Sequence, residues 1–110
     1  MRFVFFIVLF LASISFNAFS ATLFVPDTYT TIQAAINASI NGDTILVRPG
    51  TYTENLTFLG KAITVLSEKG PLVTIVDANK VDRGVTFING EGRNSVLEGF
   101  TLTGGLANGG

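Results

Sequence analysis

The sequence contains no cysteine, no histidine and no tryptophan. Without cysteine there are no disulfides and no thiolate chemistry, so a small exported domain of this kind must be held by packing alone. Without histidine the chain cannot by itself build a Ser-His-Asp triad, a Cys-His pair or an ordinary zinc site. Charge is sparse and of both signs. Seven Lys and Arg stand against eight Asp and Glu, a formal net charge of −1, with no basic stripe of the kind nucleic acid demands. Nor is any apolar run as long as the roughly 20 residues an ordinary transmembrane helix needs.

The longest apolar run is Phe3–Leu11, preceded by the positive start Met1-Arg2 and followed by the small, mixed stretch Ser13–Ser20. Ala18-Phe19-Ser20 has small residues at its first and third places. The segment therefore reads as a signal peptide over residues 1–20, cleaved between Ser20 and Ala21. The alternative is an uncleaved N-terminal anchor. No cysteine follows the run to carry a lipid. The expected address is secreted (extracellular, cell surface or periplasm), with no stable membrane insertion after cleavage. The mature chain, Ala21–Gly110, holds six basic and eight acidic residues, a net charge of −2. With 110 residues in all, there is room for at most one small domain.

Thr30–Asn41 reads as the only helix of the mature chain. Thr30 and Gln33 have capping-box spacing, and Ile32, Ala35, Ile36 and Ile40 fall on one helical face. Gly42 is placed to stop the helix at its C′ position. From Asp43 onward the period changes to two. Ile45 and Val47 share a face, as do Leu56 and Phe58, Ile63 and Val65, Val73 and Ile75, Val85 and Phe87, and Phe100 and Leu102. Between them Thr57, Thr64, Thr74, Thr86 and Thr101 suit the solvent side of a strand. Turn signals separate the runs: Pro49-Gly50, Gly60-Lys61, Lys69-Gly70-Pro71, Asn89-Gly90, Gly92-Arg93-Asn94 and Gly104-Gly105.

Ile45 to Ile63 is 18 residues, Leu56 to Ile75 is 19 and Val65 to Phe87 is 22. Strands recurring at such a period, with no helices between them, suit a ribbon that coils and stacks turn upon turn. A meander of hairpins is the competitor. It favours two-residue turns joining matched strands, and the single Asn-Gly in the strand region, Asn89-Gly90, is followed by a polar loop instead. The predicted fold is all-β: a right-handed parallel β-helix with one N-terminal capping α-helix, incomplete at its C-terminus. The apolar helical stripe is expected to plug the first rung, whose open edge otherwise invites aggregation.

The run Val25-Pro26-Asp27-x-Tyr29-x-Thr31-Ile32-Gln33-Ala34-Ala35-Ile36 resembles the entry to secreted right-handed β-helix proteins of the pectin lyase-like superfamily. Gly42-Asp43-Thr44-Ile45-Leu46-Val47-x-Pro49-Gly50-Thr51-Tyr52-x-Glu54-Asn55 resembles the segment that follows there. So do Lys61-x-Ile63-Thr64, Gly70-Pro71 to Thr74-Ile75-Val76-Asp77, and Val96 to Gly105. Pectinesterases, bacterial surface proteins with β-helix repeats and relatives of alginate epimerases share versions of this opening. The resemblance implies the N-terminal part of a secreted protein that binds or processes polysaccharide. A whole protein that is an enzyme is then expected to be a polysaccharide lyase, a pectinesterase-like hydrolase or an epimerase. The family's catalytic residues lie in later rungs, so none is carried over. The alternatives are a non-catalytic surface or adhesion stalk, or a truncated product that self-associates through an open C-terminal rung.

Candidate site residues are few, and the expectation is no catalytic, cofactor or metal set. Asp77 and Asp82 flank one loop and Glu91 and Glu98 another, without the density of a calcium loop. Tyr29 and Tyr52 can stack on sugar rings, or pack at turns with the hydroxyl on backbone. Arg48 can meet an acidic sugar, or simply be solvated. Asn37-Ala38-Ser39 and Asn55-Leu56-Thr57 match the N-glycosylation sequon, which has meaning in a eukaryotic secretory pathway, whereas the resemblance points to a bacterial protein. Gly99 and Gly104-Gly105 suit tight bends or close rung approach.

Overall fold

The computed structural model describes residues 19–80, 84–87, 92 and 94–105. The body of the predicted leader, together with Asp82 and Glu91, lies outside them. Among the described residues are nine strands and one helix: β1 (Thr22–Val25), α1 (Ile32–Ala38), β2 (Thr44–Val47), β3 (Gly50–Thr53), β4 (Leu56–Thr57), β5 (Thr64–Ser67), β6 (Thr74–Asp77), β7 (Val85–Thr86), β8 (Val96–Glu98) and β9 (Thr101–Thr103). No helix among them is long and apolar enough to cross a membrane.

Among the described residues every strand pairing is parallel. The first sheet has the order β1-β2-β5-β8, the second β3-β6-β9 and the third β4-β7. From β2 onward consecutive strands belong to different sheets, while β1 and β2 are neighbours in the first sheet with α1 between them in the chain, and each strand from β5 on stacks on the one a full coil earlier. The chain is thus a mostly β, parallel solenoid of about three coils with one short helix. The hairpin competitor is excluded, since a hairpin needs antiparallel neighbours.

The inward columns explain the coil. Leu23, Ile45, Val65 and Leu97 are in register in the first sheet, beside Val25 and Val47. With Ile32, Ala35, Ile36, Leu56, Phe58, Ile63 and Val76 they form one core, most of it fully buried. Each Val, Leu, Ile or Phe among them contributes roughly 1.5–3 kcal/mol when fully buried. Phe58 also stacks on Phe87 with ring centroids 4.6 Å apart.

The observed register differs from the predicted spacing. Ile45 stacks on Val65 rather than Ile63, Leu56 on Val85 rather than Ile75, and Val65 on Leu97 rather than Phe87. Coil lengths are uneven: 22 and 20 residues separate partners between β1, β2 and β5, but 32 separate Thr64 from Val96. Gly50, which with Pro49 reads as a break, opens a strand that runs to Thr53. Its only large apolar side chain is Tyr52, so no alternation announced it.

One face assignment is reversed. Val73 is 46% exposed, and Thr74, Val76 and Ala78 point inward instead. A one-residue slip exchanges the faces of a whole strand. Here the predicted register buries the Asp77 carboxylate, which costs more than burying the Thr74 hydroxyl. Thr74 Oγ1 is nonetheless buried without a hydrogen-bond partner.

Candidate functional surface

The helix is fixed to the first coil by side chains of that coil. Its N-cap is Thr31, not Thr30, and Thr31 Oγ1 accepts from Ala34 N at 3.1 Å. The remaining first-turn donors meet Glu54, whose Oε2 accepts from Ile32 N at 2.9 Å and Oε1 from Gln33 N at 3.0 Å. At the other end Lys61 Nζ donates to the carbonyls of Ile36, Asn37 and Ser39 at 2.7, 3.0 and 2.7 Å. A carboxylate thus stands at the positive end of the helix and an ammonium at the negative end, each satisfying groups a helix leaves orphaned. Gln33 completes the attachment. Its Oε1 accepts from Thr57 N at 2.9 Å and its Nε2 donates to Thr57 O at 3.0 Å, the pattern a neighbouring strand would offer.

The helix therefore covers the β4 edge, as the plug requires, through Ile32, Ala35 and Ile36. It is shorter than Thr30–Asn41. Ile40 lies beyond its end and is 55% exposed rather than part of the buried stripe. Gly42 has a left-handed φ of 96°, but in the turn into β2, where its N–H reaches Ala62 O, not at the helix C′. The buried Asp43 joins the same turn: Oδ2 accepts from Ile40 N at 2.9 Å, and Oδ1 from Ala21 N at 2.8 Å.

The outward faces follow from the register. The first sheet presents Thr22, Thr44, Thr64 and Val96 in one column and Phe24, Leu46, Leu66 and Glu98 in the next. The second presents Thr51, Ile75 and Thr101, and beside them Thr53, Asp77 and Thr103. Successive coils bring a charge ladder together after the first-sheet strands. Arg48 Nε donates to Asp27 Oδ1 and Oδ2 at 2.9 and 3.0 Å, and its Nη1 lies 3.5 Å from Glu68 Oε2. The hydrogen bond and charge of Asp27, then the charge of Glu68, raise the Arg48 pKa further. Exposed pairs of this sort contribute little to stability, yet they hold a fixed pattern of charge along the corner.

The remaining candidates fall apart from one another. Tyr29 and Tyr52 are half-buried and pack against the core, and the Tyr52 hydroxyl donates to Arg48 O at 2.8 Å. Burial, then the charges of Glu54 and Asp27, push the Tyr52 phenol above its ordinary pKa. Asp77 Oδ1 accepts from Asn79 N at 2.8 Å in the turn after β6, while Glu98 stands on the first sheet. Asn37 and Asn55 are both at the surface, and Asn37 Oδ1 accepts from Gln33 Nε2. Gly99, with φ 85°, lies against Ser67 so closely that a Cβ there overlaps Ser67 Oγ. Gly104, with φ 69°, lies equally close to Asp77. Among the described residues no group of three or more acids stands together as a metal site. Sequence reasoning gave Glu54, Lys61 and Asp43 no role. A carboxylate before the short β4 run and a lysine after it are ordinary turn residues until the fold places the helix between them.

Comparison with known proteins gives one informative likeness. Over 80 residues, 71% of this chain, the sequence is 34% identical to a cell surface glycoprotein of Methanothermus fervidus. The chain spans 12% of that protein's length. No family model matches the sequence, and no solved structure matches it.

Proposed function

We propose that this chain is the N-terminal cap and opening coils of an exported surface protein, a rigid β-solenoid module displayed outside the cell. The observation that carries the proposal is the closed first coil. The helix, Glu54, Lys61 and Gln33 together terminate a parallel stack at the end nearest the leader, as the first repeat of a solenoid must. The likeness to a cell surface glycoprotein supports the address, and the leader reading of residues 1–20 supports export. In finer detail, the coil is right-handed and of the pectin lyase type, and the threonine-rich outward columns meet polysaccharide. Those details rest on the resemblance of the opening motifs.

Cell fractionation tests the address. The chain, expressed in its own host, is expected in the surface or extracellular fraction beginning at Ala21. A chain retained unprocessed in the cytosol overturns the proposal. Cosedimentation with insoluble polysaccharides tests the finer reading, which fails if no polysaccharide retains the chain. Copies of this chain are also expected to associate through Phe87 and Leu102, which are 44% and 50% exposed beside the last described strands. Concentration-independent sedimentation as a monomer ends that part.

A further inference from the structure

We propose that Asp43 is the docking site for the new amino terminus released when the leader is removed after Ser20. This rests on the exported reading above. Among the described residues, backbone bonding of the first coil begins at Ala21, the residue at which the sequence predicts cleavage. Ala21 O accepts from Thr44 N at 2.9 Å, and Ala21 N donates to Asp43 Oδ1 at 2.8 Å. Phe19 and Ser20, just before it, are exposed.

Asp43 is only 5% exposed, and among the described residues no lysine or arginine forms an ion pair with it. Lys61, at the same end of the helix, is held by the carbonyls of Ile36, Asn37 and Ser39. In the uncleaved chain the carboxylate thus has two neutral backbone donors, Ala21 N and Ile40 N. A buried carboxylate without a cation is costly, and completing the pair removes most of that cost. Hydrolysis of the Ser20–Ala21 peptide bond supplies the cation. Water adds across the bond, Ser20 leaves as a carboxylate, and the Ala21 nitrogen takes a proton to become an ammonium. The same nitrogen, already 2.8 Å from Asp43 Oδ1, then makes a charge-assisted bond. Its other protons point where Ser20 stood, which is open to water. Export thereby tightens β1 onto β2, and the chain is less stable before processing than after it.

The test uses the processed chain from an exporting host. Its first residue is read by N-terminal sequencing. The α-amine is acylated in denaturant near pH 6.5, where it reacts ahead of lysine because its ordinary pKa is about 7.7–8.0 against 10.4, and the chain is refolded. Acylation is expected to lower the folding equilibrium constant about tenfold, read as a Tm lower by roughly 5–10 °C in a domain of this size. In Asp43→Asn the acylation effect is expected to vanish. Should Asp43→Asn fail to fold, a chain with one glycine added before Ala21 gives the second arm and is expected to melt like the acylated protein. An unchanged Tm on acylation overturns the proposal while leaving export intact. A chain found unprocessed in the cytosol overturns both.

Discussion

Lys61→Met removes the ammonium that ties α1 to the coil while keeping a side chain of similar reach. Three hydrogen bonds at 2.7–3.0 Å are lost. Bonds to a charged group are worth about 1.5–3 kcal/mol each, but this site is half-exposed and the three share one charge. Ile36 O keeps Ser39 N and Ser39 Oγ as donors, and the bond to Asn37 O is open to water. The net loss works out at about 2 kcal/mol, or roughly 8–16 °C in Tm for a domain of this length. The measurement is urea unfolding of Lys61→Met and Glu54→Gln, singly and together, with amide exchange at Ala35 and Ile36. The double variant is expected to lose less than the sum, because releasing either end frees the same short helix, which cannot persist undocked. A Lys61→Met loss below roughly 0.5 kcal/mol, with helix exchange unchanged, refutes the clamp.

Three further outcomes follow from particular residues. Thr74→Val is expected to stabilise the protein by about 1 kcal/mol in urea melts, because it removes a buried hydroxyl without a partner and keeps the shape. Gly99→Ala is expected to destabilise by roughly 2–3 kcal/mol, through its positive φ and the overlap with Ser67 Oγ, and Ser67→Gly is expected to restore part of the loss. Tyr52 has its pKa raised on folding, chiefly by burial, so its stabilisation is complete below the ordinary tyrosine range and is lost as pH rises through the folded value. Phenolate absorbance is expected to appear late in an alkaline titration of the folded protein, and Tyr52→Phe is expected to remove that late component.

The opening of the chain was legible because two periods meet there. Ile32, Ala35 and Ile36 announce a helical face, and Ile45 with Val47 announces a strand, so a cap followed by a coil could be read directly. Register was not legible, because alternation says which face is buried and nothing about which strand lies above. Ile75 falls at a better spacing from Leu56 than its true partner Val85 does, and the uneven coil lengths come from loops that carry no apolar signal. Thr74 reads as outward because threonine suits a wet strand face, but exposure of Asp77 decides that register. Spacing alone places Ile40 in the plug, whereas the helix stops where Lys61 and Ser39 take its last carbonyls. The Asp43–Ala21 contact depends on residues 22 apart that only stacking brings together. The individual candidates Arg48, Tyr29 and Tyr52 were visible as residue types. Their engagement with Asp27, the core and the Arg48 carbonyl was not.

The measurement that bears most directly on the parallel, capped coil is an NMR map of methyl contacts in the processed chain. Leu23, Ile45, Val65 and Leu97 must show sequential contacts in that order, and Ile32 and Ile36 must contact the core beneath β2 and β4. Close Hα–Hα contacts between consecutive strands, the mark of antiparallel pairing, or Ile32 and Ile36 methyls without core contacts, contradict it.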